Sequence, residues 1–314
     1  MREKKEKIQG KDPLLEVRDL SVSFSMYDRG LQKRDLEVLH KLSLSVYPGE
    51  ILAVVGSSGS GKSILAHAVM GILPGNAGVE GEIFYQGEKL DGKRQAALRG
   101  KEIAFIPQSV EYLDPLMRVE KQVIGIRGTK QGQKAAFARY HLGKEVEAMY
   151  PFQLSGGMAR RVLISTAVME KARLIVADEP TPGLNVEMAM ETLQNFRELA
   201  DEGCGVLLIT HDIDLAFNVA DRIAVFYAGT TVEIAPVADF LAGKEALRHP
   251  YSRAFIDALP QNDFKPIEGF QPYAGDLPEG CLFAKRCPLC SSGCGQEIAM
   301  QKIREGEVRC IHAT

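Results

Sequence analysis

ILAVVGSSGSGKS, Ile51–Ser63, is the stretch from which the rest of the chain is read. The five apolar residues ILAVV are far too few to span a bilayer and suit a buried strand. GSSGSGKS follows at once, and the apolar ILAHAVMGIL beyond it is compatible with a helix. Strand, glycine-rich loop and helix in that order are the setting in which G-x-x-x-x-G-K-[ST] binds phosphate. Gly56, Gly59 and Gly61 let the backbone curl, so that successive amides of the loop, Ser57, Ser58 and Ser60 included, point at phosphate oxygens beside a helix N-terminus. Lys62 supplies a point charge for the β- and γ-phosphates, and Ser63 offers a hydroxyl to Mg²⁺. The stretch is a nucleotide-binding loop.

RLIVADEP, Arg173–Pro180, reads as the second half of the same site. A buried apolar strand delivers Asp178 and Glu179 to its C-terminal end, where ligands bind in open α/β sheets. Asp178 is expected to hold hydrated Mg²⁺, and Glu179 to orient or deprotonate an attacking water. Taken alone, an Asp-Glu pair is more simply a solvated strand end. Beside a phosphate loop the catalytic reading is preferred.

Working outward, short apolar strands alternate with longer amphipathic segments, the pattern of an α/β domain with a largely parallel sheet. LLEVRDLSVSF and VLHKLSLSVYPGE read as strands and GEIFYQGEKL as a hairpin, suggesting an antiparallel layer beside the main sheet. EIAFIPQ and CGVLLITHD read as further buried strands, and residues from about 109 to 170 as mainly helical. The 314 residues are 45% hydrophobic and 25% charged, ordinary globular values that argue against general disorder. A net charge of −3 gives no bulk electrostatic reason to expect nucleic-acid binding, so none is expected. The Lys-rich start lacks the apolar stretch of a secretory signal and reads as a solvated tail. The expected location is cytosolic.

LSGGM at 154–158 follows YPFQ and opens the basic segment ARRVLISTAVM, while Gln108 ends EIAFIPQ and His211 ends LLITH. Phosphate loop, Gln, LSGG, Asp-Glu and His, in that order, resemble the ATP-binding subunit of an ABC transporter over roughly residues 14–240. The resemblance implies an α/β P-loop ATPase with a mixed RecA-like sheet, an antiparallel β layer and a helical subdomain. It sets the expected limits at 1–13 for a flexible tail, 14–245 for the ATPase domain and 246–314 for an extension. It also implies a head-to-tail pair of domains, each ATP lying between one phosphate loop and Ser155, Gly156 and Gly157 of the other. Gln108 would contact Mg²⁺ and the water, His211 would hold the γ-phosphate and Glu179 in register, and Phe24, with Tyr27 a weaker candidate, would stack on adenine. For Phe24 a plain core role is an equal alternative. Two positions depart from the family pattern: Met158, where Gln is usual, and Asn185, where Asp normally helps to link the two sites.

PQSVEYLDPLMRVEKQV at 107–123 and HPYSRAFIDALP at 249–260 resemble the peptide and nickel importers within that family. This implies a partner ATPase subunit, usually non-identical though a homodimer remains open, and two membrane permease subunits fed by an extracytoplasmic binding protein. The chain would then sit peripherally on the cytoplasmic face, powering uptake of di- or oligopeptides, nickel or a metal chelate. The rival readings are a soluble ABC ATPase of DNA or ribosomes and a metal-sensing regulatory subunit. Cys281, Cys287, Cys294 and Cys310 match the branch's cysteine-bearing tail, which in some members holds an iron–sulfur cluster; four thiolates suit [4Fe–4S]. The additional Cys290 makes a zinc-like Cys287-x-x-Cys290 spacing, so zinc stays open, as do free packed thiols. Cys204, alone before a strand, is assigned to the core.

Overall fold

Strand β3 (Ile51–Gly56) lies in the middle of the structure, and its alternation explains the layering. Ile51, Ala53 and Val55 face one apolar cluster, Leu52 and Val54 the other, and all five are fully buried. A strand covered on both faces has no polar side to show, which is why it reads as a continuous apolar run. The computed structural model describes residues 12–27, 32–125, 128–169, 172–262 and 264–314. All but the last two residues of the expected N-terminal tail lie outside these.

Before β3 come β1 (Leu15–Tyr27) and β2 (Lys33–Val46); after it come α1 (Lys62–Met70), β4 (Ala77–Tyr85), β5 (Glu88–Lys89), α2 (Gly92–Leu98) and β6 (Ile103–Ile106). The next stretch carries α3 (Val119–Ile124), α4 (Lys130–Arg139) and α5 (Gly156–Val168) with short 3₁₀ turns, the mainly helical character expected of it. Then follow β7 (Leu174–Asp178), α6 (Val186–Asp201), β8 (Gly205–Ile209), α7 (Ile213–Val219), β9 (Arg222–Tyr227) and β10 (Thr230–Pro236). The last stretch adds α8 (Val237–Leu241), α9 (Pro250–Asp257) and two short strands, β11 (Gln301–Ile303) and β12 (Gly306–Val308).

Two sheets result. One is antiparallel, in the order β2-β1-β4-β5, and is the side layer expected from the sequence. The other runs β11-β12-β10-β9-β3-β8-β7-β6. Strands β9, β3, β8, β7 and β6 are parallel to one another, while β10, β12 and β11 are added antiparallel. The cluster containing Leu52 and Val54 fills the space between this sheet and the antiparallel layer. The opposite cluster takes in Val162 and Ile164 of α5, Leu193 and Phe196 of α6, and Phe283 of the tail.

The C-terminal stretch is bound to the sheet by charge as well as by strand pairing. Glu233, fully buried on β10, accepts from the backbone N–H groups of Arg248 and His249 and from the Arg248 guanidinium. Arg248 also donates to Asp239 and to the Ile303 carbonyl, so one buried cation serves β10, α8 and β11. A buried ion pair with this many hydrogen bonds is costly to break from either side.

Candidate nucleotide site and cysteine tail

The phosphate loop leaves β3 at Gly56, where a Cβ would lie 2.6 Å from the Phe226 carbonyl oxygen, so only glycine fits there. Gly61, with φ +93°, turns the chain into α1; a side chain there would meet Leu39 at 2.6 Å as well as a left-handed backbone. Lys62, nine-tenths buried, donates to the Gly56 and Ser57 carbonyls at 2.9 and 3.0 Å. Its ammonium therefore lies back across the loop that it is expected to serve. Burial pulls the Lys62 pKa below the usual lysine range, and the carboxylates of Glu179 and Asp178 only partly oppose this. A bound polyphosphate would supply the missing counter-charge.

Ser63 donates its hydroxyl to Asp178 Oδ1 at 3.1 Å. Burial raises the Asp178 pKa, Ser63 counters this, and the nearby Glu179 raises it further. A hard divalent cation resolves that tension, because it prefers oxygen ligands and stabilises the ionised carboxylate. The Ser63 hydroxyl and the Asp178 carboxylate thus fit Mg²⁺, with phosphates and water completing the shell.

Glu179 stands one residue beyond β7 with φ +46°, a left-handed conformation that costs a non-glycine residue roughly 1–2 kcal/mol. Such strain gathers where a side chain must be aimed. Its N–H donates to the Ile209 carbonyl at 2.9 Å, tying it to the end of β8. Gln108 Nε2 donates to Glu179 Oε2 at 3.0 Å, and His211 Nδ1 lies 3.3 Å from Oε1. The structure therefore brings Lys62, Ser63, Asp178, Glu179, Gln108 and His211 together at the C-terminal ends of β3, β6, β7 and β8.

Ser155 caps α5, its hydroxyl accepting from the Met158 N–H at 3.3 Å. Ser155 and Gly156 are exposed at that helix start, and a Cβ on Gly157 would lie 3.5 Å from the Gly183 carbonyl. Asn185 caps α6 in the same manner, accepting from Met188 N–H at 2.9 Å. Phe24, on β1 opposite Leu36 and Ala77, is half-buried and packs against the side-layer core, whereas Tyr27 is exposed.

Two contacts at the site were not foreseen from the sequence. Arg160 on α5 donates to the Pro107 carbonyl at 2.8 Å and also to that of Gln108, clamping the Gln108 segment to the LSGG helix. The basic character of ARRVLIS was the available signal, but nothing local told which arginine turns inward. Gln271 of the irregular passage after α9 accepts from Ser57 Oγ at 2.9 Å. No sequence pattern announces that contact.

The geometry gives the metal expectation for the tail no support. Among the described residues no group of three or more His, Cys, Asp and Glu side chains is arranged to hold a metal ion. All six cysteines are free thiols. The Cys310 sulfur accepts from His312 N–H at 3.3 Å, and Cys290 is exposed. Burial pushes the Cys281 thiol up to about 11 and raises Cys310, and Cys287 and Cys294 lie near enough to raise both further. Cys204 is buried, in keeping with a core role.

Fold and site together define a P-loop ATPase. The sequence profile of ABC transporters matches residues 39–182, and that of the oligopeptide/dipeptide transporter C-terminal region matches 232–294. The chain is 34% identical to a dipeptide transport ATP-binding protein of Haemophilus influenzae, over 95% of this chain and 94% of that one. It is 32% identical to an oligopeptide transport ATP-binding protein of Salmonella typhimurium, over 94% and 92% respectively. Among solved structures, a dimeric ATP-binding cassette bound to ADP and phosphate superposes with a TM-score of 0.62 at 25% identity, over 71% of this chain and 98% of that one. The chain belongs to the family of oligopeptide and dipeptide ABC transporter ATP-binding proteins.

Proposed function

We propose that the chain hydrolyses ATP as one half of a paired cassette and thereby powers peptide import through two membrane permease subunits. The observation that carries this is one chain holding both the assembled Lys62–Asp178–Glu179 site and the C-terminal region typical of peptide transporters. Relatives named for dipeptides and oligopeptides favour peptides over nickel or a chelate, and favour transport over a DNA or ribosome role.

In the site, Lys62 and the loop amides would hold the phosphates, and Ser63 and Asp178 would hold Mg²⁺, whose charge would offset that of the phosphates. Glu179 takes the proton of the attacking water, with His211 and Gln108 fixing its two oxygens. The exposed Ser155–Gly156–Gly157 start of α5 serves the partner's nucleotide, because helix-start amides favour an anion. Phe24 or Tyr27 flanks the base.

Among the described residues no helix is long and apolar enough to cross a membrane, so attachment falls to the permease contact and placement on the cytoplasmic face is part of the proposal. A non-identical ATPase partner is compatible with Asn185, which stands where the family has a residue that helps to link the two sites, though it does not follow from it. The extracytoplasmic binding protein acts only indirectly. Reconstitution with candidate partner ATPase, permease and binding protein tests the whole reading. ATP-driven accumulation of labelled dipeptide supports it, and turnover without uptake of any peptide removes it.

A [4Fe–4S] cluster, or zinc, on Cys281, Cys287, Cys294 and Cys310 with Cys290 in reserve is a separate proposal. Its support is the gathering of five cysteines in one short module. Filling it would require the thiols to rearrange from the positions described. Anaerobic purification with iron, sulfide and zinc analysis tests it; absence of all three leaves packed thiols.

A further inference from the structure

A cavity of about 600 Å³ lies between β2, β10 and the C-terminal tail, and no residue of the phosphate loop lines it. Its size is that of sites for small molecules. Three of its lining side chains carry buried polar atoms with no hydrogen-bond partner: His249 Nε2, Thr230 Oγ1 and Arg309 Nε. His249 is 1% exposed and Thr230 2% exposed. Buried polar groups left unpaired in this way are rare and each calls for a reason.

The chemistry of the three is consistent. His249 Nδ1 accepts from the Tyr251 N–H at 2.9 Å, which leaves the ring proton on Nε2. Nε2 is therefore a donor without an acceptor. The Thr230 hydroxyl can donate as well. Arg309 donates to the Lys41 carbonyl at 2.7 Å and, with most of its side chain buried, makes no ion pair among the described residues, although Asp19 and Glu297 lie near enough to act on its charge. Three donors, one of them a guanidinium, call for an anionic acceptor with more than one oxygen.

Acidic side chains line the cavity as well. Glu37 and Glu297 are engaged by His40 and Lys41, but the exposed Glu279 is in no ion pair among the described residues. We propose that this cavity binds a small zwitterion, an amino acid or short peptide, with its carboxylate at Arg309, His249 and Thr230 and its ammonium at Glu279. Carboxylate oxygens satisfy the orphaned donors, and an ammonium group matches the free acid. The ligand would join the antiparallel layer, the main sheet and the tail at one point. This deepens the transport reading, since imported peptides and the amino acids released from them are such zwitterions.

Isothermal titration calorimetry on the full chain tests it, with a non-hydrolysable ATP analogue saturating the phosphate loop throughout. The probes are alanine, dialanine and trialanine, their C-amidated and N-acetylated forms, acetate and inorganic phosphate. A free zwitterion should bind saturably, and C-amidation should weaken it at least about tenfold, as expected for loss of hydrogen bonds to a charged group. Arg309→Gln should weaken it by a similar factor and make amidation nearly neutral. Should that variant fold poorly, Glu279→Gln at the exposed rim should erase the difference between N-acetylated and free peptide. The order of alanine, dialanine and trialanine tells whether amino acid or peptide is preferred.

Lack of saturable heat with every zwitterion overturns the proposal. So does equal binding of amidated and free peptide, or phosphate binding as tightly as any of them. Peptide binding without peptide transport would remove the transport reading and leave this site standing. Transport of peptides that never bind the isolated chain would do the reverse.

Discussion

Gln108 and Glu179 stand 71 residues apart in the chain, yet one hydrogen bond of 3.0 Å joins their side chains. Gln108 lies two residues beyond the edge strand β6 and leads into the helical region; Glu179 lies one residue beyond the neighbouring strand β7. Any shift of the helical region is therefore transmitted to the carboxylate expected to activate water. The two oxygens of Glu179 are divided between Gln108 and His211, which leaves its orientation little freedom.

Glu179→Gln should keep ATP affinity within a few-fold and lower turnover by about 10²-fold or more, the usual scale for a general base. Phosphate-release kinetics beside equilibrium nucleotide binding would show this. Near-normal release by the variant would remove Glu179 from the chemistry.

Arg160→Met should lower kcat by about tenfold or more while leaving nucleotide affinity intact, because small misplacements of positioned groups are costly. The clamp on the Pro107 and Gln108 carbonyls is what it loses. Arg160→Lys should recover part of the rate, since one donor can still reach. An equal loss in both variants, or a loss of ATP binding, would point to misfolding of α5 instead.

Lys62→Ala should weaken ATP binding at least about tenfold, from loss of a charge-assisted contact. The pH dependence has a definite sign. Burial lowers the pKa of the nucleotide-free lysine, and only the protonated form attracts phosphate. Affinity should thus begin to fall at a lower pH than an ordinary lysine would dictate, as titrations between neutral pH and pH 10 can show. A flat profile in this range would argue against the role.

His249 offers a stability test. Burial, with Arg253 adding to it, holds the ring pKa down at about 3, against 6.5 when unfolded. The folded chain thus refuses a proton that the unfolded chain accepts, so stability is full above pH 6.5 and declines as pH falls towards 3. The slope is on the order of 1.4 kcal/mol per pH unit within that window. His249→Asn keeps an acceptor for the Tyr251 N–H, as helix starts prefer, and removes the titration. Melting temperature should fall less steeply from pH 6 to pH 4 in the variant; parallel curves would refute the assignment.

The parts legible in the sequence were those written in consecutive residues. The phosphate loop, the Asp178-Glu179 strand end and the LSGG helix start each declare themselves within a dozen positions. The antiparallel layer was legible from alternation in β1 and β2. The β9–β10 hairpin was passed over: RIAVFYAGTTVEIAP is buried almost throughout, so the alternation that signals an antiparallel pair is missing. Arg160 and Gln271 could not be placed, since each contact joins segments over fifty residues apart. The cysteines are a separate case. Their spacing suits a metal, but proximity along the chain fixes neither where the sulfurs point nor whether they ionise.

The pairing of β12 with β10 bears on how this protein could be recombined. Glu233 and Ile234 of β10 are opposite Val308 and Glu307, and the Arg309 N–H reaches the Val232 carbonyl at 2.9 Å. A chimera spliced near residue 245, where the chain otherwise invites a cut, would strip β10 of its neighbour and leave a row of unpaired amides at an edge, where strands of other molecules add on. It would also strand Glu233, whose charge is balanced by Arg248 beyond the junction. The seam between cassette and tail therefore runs through the sheet, and a tail exchanged between relatives must bring its own β10 with it.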